Sequence, residues 1–127
     1  MHRSSNTIAR TRGAQAEARA LAHLQRHGLV LAARNYRCNG GEIDLVMQEA
    51  DGGLVFVEVR QRSSRAFGGA AASVTPAKQR RVLLAASHFL AAWPAVPGCR
   101  FDVVAIDGAR LEWLQGAFGQ EALESGD

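Results

Sequence analysis

Two segments decide the fold: Gly41-Glu42-Ile43-Asp44-Leu45-Val46 and, beginning nine residues after Val46, Val55-Phe56-Val57-Glu58-Val59-Arg60. Each segment alternates apolar and polar residues and is rich in Val, Ile and Phe, which is typical of a β-strand. Between them lies Glu49-Ala50-Asp51-Gly52-Gly53, whose composition favours a turn. The sequence therefore predicts an antiparallel hairpin.

The hairpin carries acidic side chains, and the alternation of side chains along each strand places them on shared faces. Side chains along a strand point to alternating faces, so Glu42 and Asp44 are expected on one face, as are Glu58 and Arg60. With the turn centred on Asp51, Asp44 lies opposite Glu58, with Cβ atoms about 5 Å apart. Opposed like charges are destabilising, so a cation is expected between them, and carboxylate oxygens favour Mg²⁺ or Mn²⁺. The alternative is that these acids are merely solvated.

Basic residues follow the second strand. Residues 60–81 contain no acidic residue and six basic ones: Arg60, Arg62, Arg65, Lys78, Arg80 and Arg81. Residues 1–37 carry seven arginines against Glu17 alone, whereas residues 102–127 carry six acids against Arg110. This asymmetry favours a nucleic-acid partner. The candidate phosphate contacts, with a solvated basic surface as the alternative, are Arg62, Arg65, Lys78, Arg80 and Arg81.

Length and composition narrow the class of protein. A chain of 127 residues, 47% of them hydrophobic, is long enough for one domain with a core. It contains no run of ~20 apolar residues and no apolar stretch near Met1, so we expect neither a membrane span nor a secretory signal. Cys38 and Cys99 lack metal-site spacing and suit free thiols in the cytoplasm.

Along the chain, the pattern predicts a flexible N-terminal arm (1–12), a domain over 13–118 and an acidic C-terminal tail (119–127). The domain is α/β, a mixed sheet flanked by helices. Its predicted elements are a helix over 13–27, strands over 29–36, 41–46 and 55–60, a loop over 63–73, a helix over 75–93, and strands over 99–106 and 111–114.

With this order in place, the chain resembles the restriction-endonuclease-like α-β-β-β-α-β core and its PD-(D/E)XK site. More narrowly, it resembles the YraN-like family of endonuclease-like bacterial proteins over roughly residues 13–118. The resemblance is carried by Arg34-Asn35-Tyr36-Arg37, Gly41-Glu42-Ile43-Asp44-Leu45, Val55-Phe56-Val57-Glu58-Val59, Lys78-Gln79-Arg80-Arg81 and Arg100-Phe101-Asp102-Val103-Val104.

The resemblance implies an active site. Asp44, Glu58 and the carbonyl of Val59 would hold Mg²⁺ or Mn²⁺, Glu17 would orient a water or hold a second ion, and Arg60 would stabilise the phosphate. The chain departs from the family at Arg60, where Lys is usual, and before Glu17, where Ala16 replaces the usual Gly. Arg cannot be deprotonated in a protein, so only a mechanism in which the metal activates water survives the change at Arg60.

Other residues have two interpretations each. Glu42 is either a partner of the metal ligands or a solvated residue. His23 and His27 either share a metal on one helix face or are simply exposed. Tyr36 either stacks on bases or packs in the core.

Phe67 and Asp102 also stand out in the sequence. Phe67 is a second candidate for stacking on bases. Asp102, inside an apolar strand, is interpreted as structural.

The leading hypothesis is a cytoplasmic, metal-dependent nuclease acting on structured or branched DNA. No sequence-reading module is evident in the chain. The alternative is a nucleic-acid-binding protein with a weak or inactive site, and a metal-holding scaffold subunit is the third option. A homodimer stays open, as does the use of RNA.

Overall fold

The computed structural model describes residues 5–61 and 74–119, with backbone only for residues 5–12. It confirms the predicted α/β fold, a mixed sheet flanked by helices. The elements in chain order are α1 (Ser5–Arg26), β1 (Val30–Cys38), β2 (Gly41–Gln48), β3 (Leu54–Gln61), α2 (Pro76–Leu90), β4 (Cys99–Asp107) and β5 (Arg110–Phe118).

The sheet has the strand order β1-β2-β3-β4-β5. Its β3–β4 pair is parallel and its other pairs are antiparallel. A parallel pair needs a crossover connection, and α2 lies in the segment that joins β3 to β4. Apolar side chains of α1 and α2 pack on opposite faces of the sheet, in two separate core clusters. Neither described helix is long and apolar enough to cross a membrane.

The β2–β3 hairpin has the predicted register. Leu45 pairs with Val57 and Val46 with Phe56, and the same register continued by one residue places Asp44 opposite Glu58. The connecting turn is closed by the N–H of Glu49, which donates to the carbonyl of Gly53 at 2.8 Å. The hairpin therefore brings two carboxylates to neighbouring positions at the end of the strand pair.

The element ends differ by more than two residues from the predicted ones in three places. α1 begins at Ser5, so the predicted arm over 1–12 is too long. The helix continues through Gly13, because a glycine weakens a helix by only about 1 kcal/mol relative to Ala. α2 ends at Leu90 rather than at residue 93, and Pro94 disfavours helical backbone at the residue before it. β5 extends to Phe118 because a bulge at Gly116, with φ 63°, lets pairing resume.

Asp102 holds that bulge in place, which confirms its structural interpretation. Its side chain is fully buried and accepts hydrogen bonds from Arg100 Nε (3.0 and 3.2 Å), Trp113 Nε1 (2.9 Å) and the N–H of Gly116 (2.9 Å). Arg100 also donates to Glu49 at 2.8 Å, which ties β4 to the β2–β3 turn.

Candidate metal centre

Glu58 is the most unusual side chain of the described structure. It is 1% exposed, on the face of β3 that packs towards α2, as its shared parity with Phe56 predicted. Its Oε2 lies 3.0 Å from Lys78 Nζ, whereas its Oε1 is buried and has no hydrogen-bond partner among the described residues. A buried polar atom without a partner costs about 1–3 kcal/mol, more for a charged group, so its retention points to a ligand.

Asp44 lies beside Glu58 at the end of the hairpin. Its Oδ2 accepts the N–H of Val59 at 2.8 Å, a bond that replaces a ladder hydrogen bond. Alternation along β2 is interrupted here, because Ile43 packs in the cluster of α2 and Leu45 in that of α1. The simple alternation that placed Glu42 and Asp44 on one face therefore does not run unbroken through Asp44.

The interruption is matched on β1 by Asn35. Its φ of 53° lies in the left-handed region, and the register that pairs Arg34 with Leu45 places it opposite Asp44. Asn is among the few non-glycine residues that tolerate this conformation. No role was predicted for Asn35, although an Asn within a strand, here between Arg34 and Tyr36, is a signal for a local change of direction.

Glu17 approaches the site from α1. Its Oε1 lies 3.7 Å from Arg34 Nε. Burial, and next the negative charge of Asp44, raise the pKa of Glu17 above its ordinary value, against the lowering effect of the neighbouring Asn35 side chain. Asp44 is thus an electrostatic neighbour of Glu17 on one side and of Glu58 on the other.

Lys78 approaches the site from α2. Its Nζ contacts Glu58 at 3.0 Å and Glu42 Oε1 at 3.5 Å, with the side chain 25% exposed. Burial lowers the pKa of Lys78, but the carboxylates, Glu58 first among them, outweigh this and raise it. Glu42 also pairs with Arg81 at 3.6 Å and Arg37 at 3.7 Å, and its side chain stays 30% exposed.

A close approach of β2 to α2 makes these contacts possible. A Cβ on Gly41 would lie 2.6 Å from the carbonyl oxygen of Arg81 and 2.9 Å from the N of Ala85. Only glycine lets the strand lie directly on the helix at this point. Glu42, the next residue, is thereby placed beside Lys78.

Arg60 lies further from the carboxylates than Lys78 does. Within the described ranges it makes no ion pair, and its Nε is buried without a hydrogen-bond partner. Arg80 and Arg81 lie on the first turns of α2, and the Arg81 side chain is 53% exposed. The predicted phosphate contacts Arg62 and Arg65, and Phe67, lie outside the described residues.

The donors fit one divalent cation. Glu58 Oε1 is unpaired and Asp44 adjoins it, and oxygen ligands of this kind suit Mg²⁺ or Mn²⁺. No group of three His, Cys, Asp or Glu side chains with metal-site geometry occurs in residues 5–61 and 74–119. A further protein ligand would therefore come from the backbone, and the carbonyl of Val59 is the one that the resemblance implies.

Packing resolves the alternative for Tyr36. Tyr36 packs edge-on against Phe89 and its hydroxyl hydrogen-bonds His88, so it belongs to the core on the α2 side. His23 and His27 lie with ring centroids 4.4 Å apart, and both pack edge-on against Trp113.

We expect the ion-free protein to lose stability as the pH rises towards 8. Burial, then the charge of Asp44, raise the pKa of Glu58 from 4.5 to about 8, against the opposing effect of Lys78. A raised carboxyl pKa stabilises the folded state fully below 4.5, and that stabilisation is lost as the pH rises through about 8.

Urea unfolding in chelator measures this effect. Between pH 4.5 and about 8, the free energy of unfolding of the wild type should fall relative to that of Glu58→Gln, because Gln cannot titrate. The slope of this difference should be at most about 1.4 kcal/mol per pH unit. A difference in unfolding free energy that stays flat with pH would contradict the raised pKa of Glu58.

Comparison with known proteins places this site inside a family. Residues 16–106 match the model described as "Uncharacterised protein family UPF0102", and the match includes Glu17, Asp44, Glu58 and Lys78. A UPF0102 protein of Cupriavidus necator is 72% identical over 115 residues, which cover 91% of this chain and 88% of the relative. One of Ralstonia pickettii is 60% identical over 126 residues, which cover 96% and 100%.

Proposed function

The chain belongs to the protein family UPF0102, and we propose that it is a Mg²⁺- or Mn²⁺-dependent nuclease that hydrolyses phosphodiester bonds in structured or branched DNA. One observation carries the proposal: Glu58 is 1% exposed, keeps one oxygen unpaired and adjoins Asp44. A buried carboxylate beside a half-buried one suits a cation site, because a buried charge needs a partner. The restriction-endonuclease-like resemblance of the chain supports the same reading.

The residues of the site have separate roles in the proposed hydrolysis. Asp44, Glu58 and the Val59 carbonyl would hold the ion, which supplies an activated water and neutralises charge on the phosphate. Glu17, an electrostatic neighbour of Asp44, orients the water. Arg60 stabilises the charge that develops on the phosphate oxygens, by charge and geometry rather than by proton transfer.

The electrostatic setting suits a polyanion. Arg34 and Arg37 on β1 and Arg81 on α2 each form an ion pair with an acid of the site region while staying partly exposed. Such side chains contact phosphates without reading bases. Binding that does not depend on a particular base sequence is therefore favoured.

A second candidate is a nucleic-acid-binding protein whose nuclease site is weak or inactive. The observation that favours it is the 3.0 Å contact of Lys78 with Glu58, which partly neutralises the carboxylates without any ion. The two functions share the basic surface and differ in what happens at the carboxylates.

A cleavage assay separates these functions. Branched, flapped, nicked and single-stranded DNAs are incubated with Mg²⁺, Mn²⁺ or chelator, and binding is measured in parallel at several salt concentrations. We expect cleavage only with a divalent ion, and binding that weakens steeply with salt even in chelator. Salt-dependent binding without cleavage of any substrate would establish the second function, and absence of both would refute both.

A further inference from the structure

Lys78 lies between two carboxylates at the least exposed part of the site. Its Nζ is 3.0 Å from Glu58 Oε2 and 3.5 Å from Glu42 Oε1, and Glu58 is 1% exposed. Charge interactions of partly buried groups are screened much less by salt than those of exposed groups. The ammonium therefore acts strongly on the charge of this cluster.

The position of Lys78 is fixed by the start of α2. Thr75 caps the helix by accepting the N–H of Lys78 at 3.2 Å, and Pro76 is the first helical residue. Gln79 Nε2 adds a hydrogen bond to the carbonyl of Val74 at 2.9 Å. The backbone of this turn thus holds the amine over Glu58.

A lysine is unfavourable at this point of a helix. The N-terminal end of a helix carries a partial positive charge, and the first turn of α2 contains no acidic residue. Only the carboxylates of β2 and β3 compensate for Lys78 in the described structure. The contacts with the carboxylates, and not helix stability, therefore account for a lysine at position 78.

The two carboxylate oxygens of Glu58 have different surroundings. Oε2 contacts Lys78, and Oε1 is left unpaired among the residues described. A cation already covers one side of the carboxylate, while the other side adjoins Asp44. Oε1 and Asp44 can therefore bind one further cation. The positive charge of Lys78 disfavours the binding of a second.

We propose that Lys78 is the resident cation of the cluster formed by Glu42, Asp44 and Glu58, so that the cluster takes up a single divalent ion and binds it more weakly than the carboxylates alone would. The inference rests on the proposed function, since it concerns the same ion. Lys78 acts through Glu58 and is a positioning residue.

The test is a titration with Mn²⁺ in the absence of DNA, with free Mn²⁺ followed by electron paramagnetic resonance at mildly alkaline pH. The wild type should bind one ion. Lys78→Met should bind Mn²⁺ at least about tenfold more tightly, because a positive charge next to the ion is removed. Lys78→Arg keeps the charge and should behave like the wild type. Arg110→Gln, at the start of β5 and outside the carboxylate cluster, controls for net charge.

The outcomes separate this inference from the proposed function. If the wild type binds Mn²⁺ and Lys78→Met binds it with the same affinity, the role of Lys78 is refuted and the nuclease proposal stands. If only Lys78→Met binds Mn²⁺, the role of Lys78 holds and a metal-dependent wild-type enzyme is refuted. If neither binds, both fail. Lys78→Gln, which keeps a donor for Glu58, replaces Met if circular dichroism shows that Lys78→Met is unfolded.

Discussion

Asp44→Asn should abolish ion-dependent cleavage, with a loss of at least about 10³-fold, and leave DNA binding unchanged. Cleavage falls because an amide is a poor ligand for a divalent ion, and metal-ion catalysis contributes several kcal/mol to lowering the barrier. The fold should tolerate the change, since the Asn carbonyl oxygen can still accept the N–H of Val59, now bonded to Asp44 at 2.8 Å. Binding should persist because no phosphate contact is lost.

The matched control is Asp107→Asn, which removes the same charge at the end of β4. Single-turnover cleavage and binding in chelator are compared for the three proteins. The site is misassigned if Asp44→Asn cleaves as fast as Asp107→Asn. If it loses binding as well as cleavage, Asp44 acts on the fold and not on the ion.

The hairpin was predictable because its information is local. Alternation in β2 and β3 and a Gly-rich turn set the register, and the register alone places Asp44 opposite Glu58. The interpretation of Asp102 as structural followed in the same way, from an acid within an apolar strand. Strand parity is a strong constraint wherever one face is buried.

The contact of Lys78 with Glu58 was not predictable from local pattern. It depends on how α2 packs on the sheet, and hence on Gly41, whose missing Cβ lets β2 lie against the helix. The sequence predicted Lys78 as a phosphate contact because it lies in a basic run. Asn35 was missed for a related reason, since its left-handed backbone matters only through Asp44 on the neighbouring strand.

The length of β5 also depended on a contact distant in sequence. The predicted last strand covered only 111–114 and stopped short of Gly116, a residue type that weakens a strand. Its N–H is instead held by the Asp102 carboxylate at 2.9 Å, which lets pairing continue to Phe118. Such a bond joins residues on two strands, so it produces no periodic pattern in the sequence.

Arg60 follows Glu58 by two residues on β3 and Lys78 reaches Glu58 from α2, and the predicted roles of these two cations differ. Lys78 contacts Glu58 directly, whereas Arg60 makes no ion pair in the described parts of the chain and so is available for a phosphate. Arg60→Ala should therefore lower the cleavage rate by roughly 10²-fold or more, the scale of deleting one transition-state donor.

Arg60→Lys should retain activity within roughly tenfold, about 1.4 kcal/mol of barrier, because a cation is kept on the same strand. Single-turnover rates of the wild type and both variants, with Mn²⁺ affinity measured alongside, test this assignment. Mn²⁺ affinity should change little in either variant, in contrast to Lys78→Met, because Arg60 acts on the phosphate rather than on the ion. If Arg60→Ala cleaves like the wild type, Arg60 has no catalytic role. If Arg60→Lys instead restores cleavage to an inert wild type, arginine at this position is the reason that the protein binds without cutting.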